Sequence, residues 1–178
     1  MDNIEVEIKL LGVDFPKAKK QIMALGGKQI HAEVFQRTAR FDTLNDDLEK
    51  QKTFLRVRTG AKSVITLKEK RGEKTSDYKN SLELETEVGD ASIVEEILRH
   101  LGYNKEIIME KYREDYELKG AIVSFDRLPF GNFVEVEGSP DQIEEVIKLL
   151  ELEKAERSTS TYWHLHEGFN QKNNSTTP

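Results

Sequence analysis

The stretch IEVEIKLL, residues 4–11, alternates strictly. Ile4, Val6, Ile8 and Leu10 fall on one side, and Glu5, Glu7 and Lys9 on the other. A period of two is the signature of a strand with two unlike faces. A strand face turned to solvent ordinarily mixes Thr, Ser, Lys and Gln. Acid, acid and base in a row look instead like a surface built to hold a ligand.

The same alternation recurs along the chain. FLRVR carries Arg56 and Arg58 opposite Leu55 and Val57, and the next segment carries Thr66 and Lys68 opposite Ile65 and Leu67. LELETEV sets Glu83, Glu85 and Glu87 against Leu82, Leu84 and Val88. EKYRED carries Lys111 and Arg113, VSFD carries Ser124 and Asp126, and FVEVE carries Glu135 and Glu137 against Val134 and Val136. For one strand, the simplest reading is a polar face in water and an apolar face under helices. Seven strands whose polar faces hold mostly Glu, Arg and Lys point further. If the sheet closes with helices outside, these faces line a lumen. A dry lumen is excluded, because unpaired buried charges cost several kcal/mol each. A wet lumen that takes a highly charged ligand is allowed.

The connections fit closure. Helices are expected over 14–27, where Asp14 is a cap, Pro16 lies in the first turn and Gly26-Gly27 end the run, and also over 90–103 and 139–152. A short closing helix is expected within 158–169. About eight strands separated by tight turns imply antiparallel pairing. Residues 28–42 read as one long strand, 43–52 as a polar connection and 72–80 as a charged loop.

The composition narrows the function classes. The chain has 178 residues, a net charge of −6, no cysteine and 34% charged residues. One domain over 1–168 is expected, with a disordered tail at 169–178. The acidic balance argues against a nucleic-acid partner. Without cysteine there is no disulfide or thiolate chemistry. No apolar run suggests a signal peptide or a membrane span, so a cytoplasmic protein is expected, either a monomer or a homodimer. The inward bases, Lys9, Arg56, Arg58, Lys68, Lys111 and Arg113, could cradle a polyphosphate through forked donors. The inward acids, Glu5, Glu7, Glu83, Glu85, Asp126, Glu135 and Glu137, could hold hard divalent cations that bridge to its oxygens.

EVEIK (5–9) matches the ExExK signature, and LRVR, TLKEK, ELETEV, EKYR, SFDRLPFGNFVEVEG and STYWHL follow in order over about residues 3–166. In this the chain resembles the CYTH domain, or triphosphate tunnel metalloenzyme, family. The resemblance implies an α+β fold: a closed eight-stranded antiparallel β-barrel around a tunnel, with helices packed outside. It also implies a small-molecule triphosphate substrate and Mg²⁺ or Mn²⁺, two per site. Carried over, Glu5, Glu7, Glu135 and Glu137 would hold metal, with Asp126 and Glu85 supporting. Lys9, Arg56, Arg58, Lys68, Lys111 and Arg113 would bind phosphate, and Lys68, Arg113, Glu5 and Glu7 would act in catalysis. Family members include inorganic and thiamine triphosphatases and class IV adenylate cyclases. Triphosphate hydrolysis, ATP cyclisation and non-catalytic polyphosphate or nucleotide binding therefore all remain open at this point. Arg157 is a candidate further base, and Arg40 stands where relatives often have an aromatic. Tyr162, Trp163 and Phe169 are expected to pack the closing helix or plug one tunnel end.

Overall fold

The computed structural model describes residues 4–71 and 77–166. The expected tail, Phe169 and most of the 72–80 loop lie outside the described residues. In chain order the elements are β1 (Ile4–Leu11), α1 (Phe15–Ala24), β2 (Lys28–Asp42), α2 (Asp47–Lys50), β3 (Thr53–Thr59), β4 (Val64–Arg71), β5 (Lys79–Glu87), α3 (Ala91–His100), β6 (Lys105–Leu118), β7 (Ala121–Leu128), β8 (Gly131–Glu137), α4 (Pro140–Leu149) and β9 (Glu156–Ser158).

The sheet runs β5-β4-β3-β2-β6-β7-β8-β1, and β1 pairs back to β5, which closes an eight-strand ring. Every pairing is antiparallel. The β1–β5 seam is short, from Ile4↔Leu82 to Glu7↔Lys79. Past it, β9 takes the same edge of β1, from Lys9↔Ser158 to Leu11↔Glu156.

The apolar faces point outward, and helices cover them. Ile8, Leu10, Val123, Phe125, Val134 and Val136 pack against Phe15, Ala18 and Ile22 of α1 and Ile143, Val146 and Ile147 of α4. Across the ring, Ala39, Phe41, Leu55 and Val57 pack against Leu98 of α3. Fully burying a Val, Leu, Ile or Phe side chain in these clusters contributes about 1.5–3 kcal/mol. The expected caps are present. Asp14 accepts from the Lys17 N–H and Asp90 from Ser92 and Ile93, while Ser139 and Gln142 form a capping box.

Two short elements were not expected. The polar connection 43–52 contains α2, because the buried Asp42 carboxylate accepts the backbone N–H groups of Thr43, Leu48 and Glu49. The segment before the closing helix forms β9. The closing helix starts at Tyr162, and its described part runs to residue 166. Among the described residues no helix is long and apolar enough to cross a membrane.

Candidate functional site

The ring encloses a cavity of about 1080 Å³. Its wall is the charged face of each strand. β1 contributes Glu5, Glu7 and Lys9, β3 Arg56 and Arg58, β4 Lys68, β5 Glu83 and Glu85, β6 Lys111 and Arg113, and β8 Glu135 and Glu137. Asp126, which pairs with Arg113 across β6 and β7, lies behind these bases and is fully buried. All the sequence-derived site residues therefore meet at one site.

The charges are organised in three groups. In the first, Asp126 receives Arg113 Nε at 2.7 Å and Arg113 Nη2, Lys111 Nζ at 3.1 Å and the Tyr162 hydroxyl at 2.6 Å. Burial opposes ionisation of Asp126, but Arg113 and Lys111 outweigh it and hold the carboxyl below its usual range. Burial, helped by Arg113, pushes the Lys111 ammonium down to about 8. Tyr162 also lies under Lys9 and Lys111, 5.0 and 5.1 Å from ring centroid to nitrogen. With Leu128 and Phe133 it forms an apolar cluster joined by Leu11, Met109 and Leu165. Through Tyr162 and Met109 this cluster forms part of the lumen wall.

In the second group, Arg58 meets Glu85 at 3.3 Å, and Thr66 donates to Glu85 at 2.7 Å. Arg56 meets Glu83 at 3.3 Å, and Lys68 bridges Glu83, at 2.5 Å, and Glu5.

The third group surrounds the opening strand. Lys9 lies 2.8 Å from Glu7 and 3.1 Å from Glu135, and Arg113 reaches Glu135 at 3.4 Å. A second lysine, Lys79 at the start of β5, lies 2.5 Å from Glu7. Burial and Glu135 disfavour the Glu7 carboxylate, yet Lys9, Lys79 and Lys68 hold it down to about 2. Its neighbours behave oppositely. Burial raises Glu5 to about 8, and Glu7, Glu83 and Glu137 add to the rise against Lys68. Burial, then Glu135 and Glu7, raise Glu137 as well. Among the described residues no cation lies within ion-pairing distance of Glu137.

This imbalance is where a divalent cation fits. Glu5 and Glu137 lie on the paired strands β1 and β8; Glu5 shares Lys68 with Glu83, and Glu137 has no cation partner among the described residues. Carboxylate oxygens are the ligands that Mg²⁺ and Mn²⁺ take. A different acidic trio, Asp42, Asp46 and Glu49, has oxygens within 4.8 Å of one another. There the charges are already met. Asp42 caps α2, Lys105 pairs with Asp46, and Arg40 lies 3.1 Å from Glu49.

The sequence did not assign several residues that line the lumen. Lys79 is one. Gln36 and Thr38 of β2 and Ser81 of β5 are buried there too. Arg40 proves to be a lumen residue rather than a surface charge, stacked 4.6 Å from the Phe54 ring centroid. Arg157, in contrast, lies outside and clasps Glu144 of α4 at 2.7 and 2.9 Å. Gln36, Arg56, Ser81 and Trp163, all residues of the lumen wall, each hold a buried polar atom without a protein hydrogen bond.

The comparisons agree with this geometry. The CYTH domain profile matches residues 3–162. A Methanocaldococcus jannaschii protein that carries a provisional adenylate cyclase name is 31% identical over 150 residues, 83% of this chain and 84% of its own. A Pyrococcus furiosus structure, described as a conserved hypothetical protein, superposes with a TM-score of 0.74 at 26% identity, covering 90% of this chain and 99% of its own. A Hippeastrum structure, described as an adenylyl cyclase candidate with a dominant triphosphatase activity, superposes at 0.65 and 18% identity, over 93% of this chain and 95% of its own; it bears on the fold alone. With its inward-facing ExExK strand, its closed eight-strand ring and a profile match over nearly the whole chain, this protein belongs to the CYTH domain family.

Proposed function

We propose that the chain is a divalent-metal-dependent phosphohydrolase acting on a triphosphate: inorganic tripolyphosphate, thiamine triphosphate or a nucleoside triphosphate. One observation carries this reading. Within a single lumen, guanidinium and ammonium groups line β3, β4 and β6, while Glu137 has no cation partner among the described residues and Glu5 shares Lys68 with Glu83. A polyanion together with a cation balances both sides, and neither does so alone.

Arg56, Arg58, Lys68, Lys111 and Arg113 would bind the phosphate oxygens. Asp126 takes Nε and Nη2 of Arg113 and leaves Nη1 for the substrate. A guanidinium fixed in this way needs little reorganisation as charge develops on the transferred phosphoryl group. Lys68, held between Glu5 and Glu83, would join it there. Glu5 and Glu137 would hold Mg²⁺ or Mn²⁺, with Glu7, Glu135 and Glu85 ordering the bases around them. When bound, such a cation neutralises phosphate charge and acidifies a water for attack on phosphorus.

A second reading, cyclisation of ATP to cyclic AMP and pyrophosphate, is favoured by the unpartnered polar atoms of Gln36, Ser81 and Trp163. They could take the hydrogen-bonding edge of a base in a cavity at the large end for a small-molecule site. A product assay separates the two. Tripolyphosphate, ATP and thiamine triphosphate are each incubated with Mg²⁺ and with Mn²⁺. Orthophosphate without cyclic nucleotide is expected. Cyclic AMP with pyrophosphate from ATP would replace the hydrolase with the cyclase. No turnover, with tripolyphosphate still raising the melting temperature, would leave a binding module.

A further inference from the structure

We propose that His31, fixed by Asp115, is a specificity-determining residue that receives the sugar hydroxyls of a nucleoside triphosphate and so favours that substrate class over inorganic tripolyphosphate. The inference rests on the reading of the lumen as a triphosphate site. His31 and Asp115 both line the cavity. They are direct partners in the β2–β6 ladder, and His31 Nδ1 lies 3.0 Å from Asp115 Oδ2. A carboxylate oxygen accepts, so the ring donates its Nδ1–H here. The other carboxylate oxygen, Asp115 Oδ1, is buried and has no hydrogen-bond partner among the described residues. A buried acceptor is costly to leave unmet, and a donor on a ligand would meet it.

The register of β2 against β6 shifts on both sides of His31, between Gln29 and His31 and between His31 and Val34. Irregularities of this kind re-aim single side chains, and these two leave His31 opposite Asp115 between breaks in the ladder. Along β6, Asp115 follows Arg113 by two residues, on the same face and about 7 Å away. On the other side of Arg113 come Lys111 and Met109, and Met109 joins the Tyr162 cluster. A triphosphate held at Arg113 and Lys111 has the His31–Asp115 pair next in line beyond its phosphates. A further phosphate oxygen would meet the Asp115 carboxylate and be repelled. Sugar hydroxyls supply the missing donor to Oδ1. They also accept, so they suit the imidazole in either protonation state.

The test compares ATP with tripolyphosphate, each with Mn²⁺, in wild type, His31→Ala and Asp115→Ala. The readout is the ratio of kcat/KM for ATP consumption to kcat/KM for tripolyphosphate. Tripolyphosphate has no hydroxyl for the pair to hold, so the ratio should fall about tenfold in both variants, the loss expected for one charge-assisted hydrogen bond. A ratio unchanged in either folded variant, whether both rates drop together or neither moves, would overturn the inference. His31 is largely exposed, so His31→Ala keeps the test open if Asp115→Ala fails to fold. Wild type that consumes tripolyphosphate alone would also overturn it. Wild type that consumes neither would overturn the hydrolase reading instead, a different result; the same ratio is then taken from dissociation constants measured by calorimetry.

Discussion

Tyr162 donates its hydroxyl to Asp126 Oδ2 at 2.6 Å, so the closing helix reaches the carboxylate that holds Lys111 and Arg113. Tyr162→Phe keeps the ring, and with it the packing against Phe133 at 5.2 Å and the faces offered to Lys9 and Lys111. It removes one hydrogen bond to a charged group, a contribution of about 1.5–3 kcal/mol. The melting temperature should fall by about 2–4 °C per kcal/mol. With Asp126 less firmly held, kcat/KM for the triphosphate should drop about tenfold, the equivalent of about 1.4 kcal/mol. Calorimetry and steady-state kinetics check the two halves. Unchanged kinetics would make Tyr162 a packing residue alone.

Asp126→Asn should be far more severe. The variant keeps the shape but leaves Arg113 and Lys111 buried with Glu135 as their remaining acid. Breaking a buried pair from one side costs about 3–5 kcal/mol, because the other charge stays in place uncompensated. Urea unfolding should show that loss. Tripolyphosphate should recover part of it, since the substrate would supply the missing negative charge. A loss under about 1 kcal/mol would mean that water already solvates the two bases.

Much of this site is legible in the sequence because a strand has a period of two. Once Glu5, Glu7 and Lys9 are assigned one face, the parity of five further strands follows from apolar residues at the alternate positions, while Lys111 and Arg113 alternate only with Glu110, Tyr112 and Glu114. Legibility ends where one side of the alternation is not apolar. Lys79 and Ser81 continue the row of Glu83 and Glu85 by steps of two. They follow a charged run with no apolar partner row, so the sequence pattern marks the strand only from Leu82, later than its start at Lys79. In β2 both faces are polar around Gln36, Arg37 and Thr38, and the register against β6 shifts twice between Gln29 and Val34. Arg40, between the apolar Ala39 and Phe41, does follow the parity, and Thr38 and Gln36 continue its row only if no bulge intervenes. The position of Arg157 depends on the β9 pairing, three residues that carry no periodic signal.

Gly27 is needed for packing. A Cβ there would lie 2.5 Å from Ile22 Cγ2 and 2.9 Å from the Glu117 carbonyl oxygen. That oxygen belongs to β6, where Glu117 pairs with Lys28, so it cannot retreat without opening the ladder. Gly27→Ala should cost about 1–3 kcal/mol, the usual range for overpacking. The site lies inside the ring and Gly27 outside it, so kcat/KM at 25 °C should be unchanged. A variant as stable as wild type would show that the α1–β2 corner relaxes freely.

The metal-free protein should lose stability as pH rises from about 5 to 8. Glu5 is raised to about 8 in the folded state by burial and by Glu7, Glu83 and Glu137, against 4.5 for an ordinary glutamate. Between those values the folded chain holds a proton that the unfolded chain has released. The contribution is therefore full below about 4.5 and lost as pH climbs through 8. Glu137 acts in the same direction. Glu7, held near 2, adds stability that disappears only on strong acidification, so it is constant in this window. Lys111, lowered to about 8, opposes the trend only above that pH. In EDTA, melting temperatures across pH 5–8 should slope downward, and Glu5→Gln should make the slope shallower, with Glu137 supplying what remains. Adding Mn²⁺ should reverse it, because the cation needs Glu5 and Glu137 ionised and binds more tightly as they lose their protons. A flat profile in EDTA, or a slope as steep in Glu5→Gln as in wild type, would mean that the Glu5 carboxyl is already solvated and charged without metal.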